Sequence, residues 1–401
     1  MKKFSIVAVS ILITCCLILL INDNYYEGKI ITDTKTKNIL NTNSLTMMYE
    51  TDYQSGEYQV ASDTTWPQDG YIFNETLSKC ENGGVLLWDN ENKKVLLQTN
   101  TSDKCFVYFD KAPNTLASYI INNVYTGVDG DNGLYYHDGI GSYTNADQEA
   151  GDYSYRYAGA NPNNYVCFGS DKELCPEDNL YRIIGVFNNQ VKLIKNSSIG
   201  STCWDGSDCE EYFNSNEVIA TLMSYNVEFL AVPDPSSGFN DWNISVINKL
   251  LNSTGFFDKF DYSWQEKIVT SLWYIGGTEN GDTIVKEFFS AERNEDTYNG
   301  KIGLIYVSDY GYAASPDYWT TQMKSFNTAI NNNWMYAGGE WTITKSTLWS
   351  AQVFWITSSG ELECDRNVDS IYTEIRPVFY LNSDVAYISG SGTQTDPYRI
   401  N

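Results

Sequence analysis

The chain has 401 residues, 42% of them hydrophobic and 15% aromatic, and a formal net charge of −25. That length allows two or three domains with real cores, and the apolar share excludes a disordered chain. A surface this acidic repels phosphate backbones and anionic headgroups, which excludes nucleic acid as a partner.

The N-terminus reads Met1-Lys2-Lys3, then Phe4 to Ile21, 18 residues without a charge. At ~1.5 Å per residue this is near the lower limit for crossing a bilayer. Lys2 and Lys3 set the N-terminus in the cytoplasm by the positive-inside rule. The run closes Leu19-Leu20-Ile21-Asn22-Asp23, without the small residues of a cleavage site. Residues 1–24 are therefore expected to be an uncleaved transmembrane helix, which makes the chain a single-pass cell-membrane protein with its remainder outside. The competing reading is a lipoprotein signal around Leu12-Ile13-Thr14-Cys15, where Thr14 fits poorly. Residues 25–42 are polar and aperiodic, as expected of a stalk.

Residues 43–112 read as short strands and turns, expected to form a small β-sandwich. Gly84 to Trp88, a polar turn, and Val95 to Thr99 make a hairpin by composition and spacing, and Phe106 to Phe109 is a further strand. Trp66 or Trp88 is expected in the core of this domain. Residues 113–164 begin with Leu116, Tyr119, Ile120 and Val124 at helical spacing, read as a linker helix. A long Gly-, Asn- and Tyr-rich loop follows, poor in aliphatics and placed to line a site.

Residues 165–401 carry an α+β order. Arg182 to Phe187, a turn at Asn188-Asn189, and Val191 to Ile194 form a hairpin. Two helices are expected next. One starts near Asp241, with Val246, Ile247, Leu250 and Leu251 on one face, and stops at Gly255. The other runs from a Ser263/Glu266 capping box, with Ile268, Val269, Leu272 and Trp273 inward, to Gly276-Gly277. Strands resume at 302–307, 353–356 and 375–380.

Nine cysteines are present. In an exported chain the economical pairing is Cys80–Cys105, Cys167–Cys175 and Cys203–Cys209, leaving Cys364 free; six cysteines allow 15 pairings. Zinc is disfavoured, because there is no C-x-x-C and only one histidine.

The order of elements from Tyr181 to Leu381 resembles a domain of unknown function common in surface proteins of Gram-positive bacteria. The residues that carry the resemblance are Trp242, Leu251 and Asn252, then Phe256, Phe260 and Trp264 to Ile268. Leu304 to Ser308, Phe354 to Gly360 and Arg376-Pro377-Val378 complete it. That domain is similar in turn to the C-type-lectin-like and formylglycine-generating-enzyme folds, so the resemblance implies a C-type-lectin-like α+β domain. The chain departs from both chemistries. It lacks the lectin calcium tripeptides, and only Cys364 lies in the C-terminal third where the enzyme uses two cysteines.

Motifs for catalysis are sparse. There is no G-x-S-x-G elbow, phosphate loop or G-x-G-x-x-G, so no nucleotide is expected. A Cys364–His137 dyad competes with a plain surface histidine and an unpaired thiol. Among 51 acidic residues, Glu210-Glu211 and the Asp205/Asp208 pair are carboxylate candidates only in the sense that glycoside hydrolysis needs two. Asp129-Gly-Asp131-Asn-Gly133 resembles a calcium loop but lacks the fifth-position ligand and the closing glutamate, so no cofactor is assigned and calcium stays a weak alternative to a tight turn.

Trp319, Trp334, Tyr336, Trp341 and Trp349 cluster in a segment rich in Asn, Gly and Thr. Ring stacking and amide hydrogen bonds suit glycan or protein recognition, so Trp319, Trp334, Tyr336 and Trp349 are the binding candidates, with core packing the competing reading. Trp341 and Trp355, beside aliphatics, are assigned to the core. The expected function is non-catalytic recognition or adhesion at the cell surface. The alternatives are a cell-envelope enzyme acting on sugars through a carboxylate pair and a purely structural envelope protein.

Overall fold

A computed structural model describes residues 44–53, 55–61, 70–89, 92–99, 102–112, 114–206, 238–294 and 297–401. The chain divides into two compact units, one ending at residue 113 and one spanning Asn114–Asn401.

The smaller unit is built on β1 (Ser44–Glu50), β2 (Tyr58–Val60), β3 (Tyr71–Cys80) and β6 (Lys104–Lys111), in the order β2-β1-β6-β3. Strands β1 and β6 run parallel, with Thr46 opposite Phe106 and Met48 opposite Tyr108. The hairpin β4 (Val85–Asp89) and β5 (Lys94–Gln98) forms as its alternating apolar residues and polar turn direct. Along β6 the alternation puts Cys105, Val107 and Phe109 inward, where they meet Leu86 and Val95 of the hairpin. Trp88 stacks on Phe73 at 5.9 Å and meets Phe109 edge-on. Cys80–Cys105 joins the end of β3 to β6. This corrects the expected sandwich. The unit is one four-stranded mixed sheet with a two-stranded hairpin against it, because the parallel β1–β6 pair draws the N-terminal strand into the sheet's centre. Trp66 lies outside the described residues.

The larger unit contains a sheet in the order Ile302–Gly303, Val378–Tyr380, Gln190–Lys195, Leu180–Phe187, Tyr155–Tyr157 and Leu134–Tyr136, with Tyr165–Cys167 also against Leu180–Phe187. A second sheet joins Gly277–Thr278, Glu340–Ser346, Val353–Ile356 and Leu362–Glu363. One aromatic-rich core holds Trp204, Trp242, Trp273, Trp319 and Trp341 together with residues of both sheets. Residues 114–164 are part of this unit. They supply helix α1 (Leu116–Tyr119), capped by the Thr115 hydroxyl, and two strands of the main sheet.

Helices are shorter than the periodicity suggests. The expected helix near 241–255 is a turn of α-helix, Val246–Lys249, continued by Leu250–Thr254, and it does stop at Gly255. There a Cβ would meet the Leu250 carbonyl at 2.2 Å. The expected 263–276 helix ends after Tyr262–Gln265, and Ser271–Tyr274 is a strand paired with Thr297–Gly300. Ile302 to Val307 splits into a two-residue strand and the start of a helix, Val307–Tyr312.

Among the described residues no helix is long and apolar enough to cross a membrane. The longest α-helix among the described residues, Val285–Glu292, has eight residues and reaches only ~12 Å, against ~30 Å of hydrocarbon. The expected anchor over 1–24 and stalk over 25–42 lie outside the described residues. The described architecture is mixed α+β, mostly sheet, and this replaces the expected chain of membrane helix, sandwich and C-type-lectin-like domain. The expectation of a single-pass membrane protein is corrected to what is found: among the described residues no helix can span a bilayer.

Candidate recognition surface

The expected aromatic cluster does not form one surface. Trp319 is fully buried, its Nε1 donating to the Ala314 carbonyl at 3.0 Å. Trp334 is 5% exposed and donates Nε1 to the Tyr157 carbonyl at 2.7 Å. A buried indole keeps its N–H satisfied, and both do. Tyr336 is half-buried, with its hydroxyl on the Ser358 carbonyl at 2.5 Å. Trp349 alone of the four is exposed, at 58%. Trp341 and Trp355 are core residues, as their aliphatic neighbours implied.

Trp349 sits in the turn between Glu340–Ser346 and Val353–Ile356, beside the exposed Leu348. The turn is held from several sides. Asn240 Nδ2 lies 2.8, 3.0 and 2.8 Å from the carbonyls of Ser346, Trp349 and Gln352, and the Asn240 N–H donates to the Ser350 carbonyl. The Ser346 hydroxyl accepts the Leu348 and Trp349 N–H groups. Phe239, next to the Asn240 clamp, is 42% exposed. Its N–H is fixed by Asp205 Oδ2 at 2.8 Å, while Asp205 Oδ1 accepts from Val246. Asp205 is thus spent on backbone donors; Asp208, Glu210 and Glu211 lie outside the described residues.

The charged interior is a second arrangement that composition did not reveal. Asp309 takes Lys192 Nζ at 2.6 Å and lies 3.6 Å from Arg156, whose other amine reaches Asp152 at 2.6 Å. Asp309, Lys192 and Arg156 are each at most 2% exposed. Glu292, fully buried, accepts the Ser308 N–H and hydroxyl and the Thr344 hydroxyl. Burial raises its carboxyl above the ordinary range despite Arg293, Ser308 and Thr344. Glu340 and Arg376 form a bidentate pair at 2.5 and 2.7 Å. Each of these carboxylates is engaged by a partner inside the core.

His137 belongs to the same interior and is not a surface residue. Its Nδ1 accepts the Ala150 N–H at 3.1 Å, and its ring packs against Tyr312 and Trp319. Burial, then the Arg156 charge, holds it well below the ordinary histidine range, with Asp152 opposing. Cys364 is a free thiol against the Glu279 carbonyl, and no contact joins it to His137.

The metal candidates are otherwise occupied. Asp129 accepts the Tyr125 hydroxyl and the Tyr136 N–H, and Asp131 accepts the Thr126 hydroxyl. Left-handed backbone at Gly130, Asn132 and Gly133 makes this segment a tight turn. Cys80, Asp103 and Cys105 lie close together, but the two sulfurs are a disulfide and Asp103 accepts the Asn82, Gly84 and Lys104 N–H groups. The second disulfide is Cys167–Cys175. Cys203 is also disulfide-bonded, and its expected partner Cys209 lies outside the described residues.

Beyond that tight turn lies a cleft of about 310 Å³ lined by Asn132, Gly133, Ala158, Ala160, Asn161, Pro162 and Asn163. The Ala158 N–H donates to the Gly133 carbonyl and joins its walls, and a Cβ at Gly133 would meet Pro162 at 2.8 Å. The Asn-Pro dipeptide at 161–162 was the readable signal of a turn here. Nothing in the local sequence identifies Asn240 as a clamp.

No family model, curated protein or solved structure matches this chain.

Proposed function

We propose that this chain is a non-catalytic recognition module of an oxidising compartment, and that its ligand-contacting edge is the turn carrying Leu348 and Trp349 with Phe239 beside it. The observation that carries the reading is the clamp. Three large apolar side chains stay in solvent on backbone that Asn240, Ser346 and Asp205 hold fixed. A preorganised aromatic loses little conformational freedom on binding, and exposed Trp is the residue type that most often anchors an interface or stacks on a sugar ring. The Cys80–Cys105 and Cys167–Cys175 disulfides support the compartment.

The reading leaves the interior carboxylates as structural, consistent with their engagement by Lys192, Arg156, Arg376, Ser308 and Thr344. The test is a screen of the purified protein against glycan and cell-wall-fragment arrays and against candidate protein ligands, with Trp349→Ala as the paired control. Saturable binding lost in Trp349→Ala supports this edge. Binding that survives the substitution moves recognition elsewhere, and turnover of an arrayed sugar would put the enzyme reading in its place.

A further inference from the structure

Five buried cations are described in the larger unit, and they can be compared by what neutralises them; Lys195 donates to the Asp178 carbonyl, with the Asp178 and Glu177 charges near it. Lys192 and Arg156 share Asp309, and Arg376 has Glu340. Arg182, 6% exposed, has no carboxylate partner among the described residues. Its Nε donates to Asn164 Oδ1 at 2.7 Å, Nη1 to the Trp334 carbonyl at 3.3 Å, and Nη2 to the Pro162 carbonyl at 3.1 Å and Asn161 Oδ1 at 3.3 Å. The guanidinium lies over the rings of Tyr165 and Trp334 at 4.3 and 4.6 Å. All of these partners are neutral, and a buried charge with only neutral partners is poised for an anion.

The acceptors that hold Arg182 belong to the cleft. Asn161 and Pro162 are two of its lining residues, and Trp334 fixes that wall from behind through the Tyr157 and Gly159 carbonyls. Asn161 is exposed. Its Oδ1 accepts from the guanidinium, and its Nδ2–H₂ is a donor on an exposed side chain, polarised by that cation. Ala158, Ala160 and Pro162 give the cleft an apolar side, and Asn132 and Asn163 add amides. Its volume stands at the small end of the ~300–1,000 Å³ usual for ligand sites. The acidic residue next in sequence, Asp131, is turned to the Thr126 hydroxyl at 2.8 Å.

We propose that this cleft is a binding site for a small carboxylate-bearing molecule, held by the Asn161 side-chain amide with Arg182 as the buried counter-charge. Arg182 keeps its proton at neutral pH. Burial brings it down to about 10, Tyr165 opposes that fall, and the Arg376 charge adds to it. The site shares no residue with the Trp349 turn, so its fate is independent of the function proposed above.

The experiment titrates the full chain with D-galacturonate, D-galactose and D-galactosamine, three rings of similar shape that differ in charge. Binding is read by saturation-transfer NMR. Galacturonate is expected to saturate, with both other sugars at least about tenfold weaker, since only it forms a charge-assisted hydrogen bond here. Asn161→Asp places a carboxylate where the donor stood and is expected to weaken galacturonate by at least about tenfold, while Trp349→Ala leaves it unchanged. If Asn161→Asp fails to fold by near-UV circular dichroism, Asn161→Ala removes the donor without adding charge, and the same loss is expected. Equal binding of the three sugars, no galacturonate binding, or galacturonate binding unaffected by the folded Asn161 variant overturns the proposal.

Discussion

Trp334 and Trp349 stand fifteen positions apart in one polar, aromatic-rich stretch, and they end in opposite environments. Trp334 finds an internal acceptor for its N–H, a backbone contact to residue 159 and a cation to stack on. Trp349 finds a turn held by its backbone, by Asn240 and by the Ser346 hydroxyl, with its ring left outside. The difference lies not in the residue but in what distant chain segments supply. The Trp334 indole goes inside, where the Tyr157 carbonyl accepts its N–H.

The sharpest way to break this comparison is to truncate both rings. Trp334→Ala should cost about 3–5 kcal/mol, since it opens a cavity, leaves the Tyr157 carbonyl without its donor and removes a stacking face from Arg182. Chemical denaturation of the purified protein measures this. A change below about 1 kcal/mol would mean that the ring is not a core residue.

A similar loss is expected at Asp309, whose carboxylate serves both Lys192 and Arg156 in a site excluded from water. Asp309→Ala should destabilise by about 3–5 kcal/mol, because two cations are left buried with one fewer counter-charge. Replacing Asp309 together with Lys192 by apolar residues should recover part of that loss. If the double variant is no better than the single one, the cost comes from the helix cap that Asp309 also makes to the Tyr306 N–H.

How much of this was legible follows the range of the interactions involved. The 85–98 and 180–195 hairpins and the strand at 353–356 were readable because their pattern and turns are local. The Cys167–Cys175 bridge was readable because it closes a short polar segment, and the Cys80–Cys105 bridge because it brackets one hairpin. The second expected helix failed at Leu272 and Trp273, whose apolar spacing suits a helix but whose backbone pairs with Thr297–Gly300. His137 looked like a surface residue, beside Asp138 and Gly139 in a turn-like context, yet it is buried under Tyr312 and Trp319, which lie far along the chain. Of the candidate site, Trp349 was legible as an aromatic in a polar segment. Its clamp at Asn240 and the packing of Arg182 against Trp334 were not, since both join residues more than a hundred positions apart.

His137 offers a pH test of that hidden interior. It is the only histidine, and the fold holds it below the ordinary range by burial and by the Arg156 charge. A histidine depressed in the folded state binds its proton more readily when unfolded, so stability should fall as pH drops below about 6.5. Asp152 acts in the same direction at lower pH. Burial raises it, but Arg156 and the Ser154 hydroxyl bring it to about 2, so its contribution is present above about 4 and lost on the way down. Glu149, Asp205 and Glu292 are raised and act in the opposite sense. Denaturation midpoints between pH 7 and 5 should therefore decline in the native protein and flatten in His137→Gln. An unchanged slope in the variant would place the proton uptake on other groups.

The smallest expected effect completes the comparison with Trp334. Trp349→Ala should change stability by no more than about 0.5 kcal/mol, since the ring is exposed and the turn is held by backbone carbonyls and the Ser346 hydroxyl that the substitution leaves in place. Asn240→Ala removes the clamp and keeps the ring, so it should cost about 1–2 kcal/mol by leaving three carbonyls short of a donor. The two variants then separate presentation from contact. If the turn recognises a ligand, Trp349→Ala loses affinity at unchanged stability, whereas Asn240→Ala loses affinity through a looser turn and shows faster amide exchange at Thr347 to Ser350. A Trp349→Ala variant as damaged as Trp334→Ala would show that the exposed ring is covered in solution, and the contrast between the two tryptophans would then be one of partner rather than of burial.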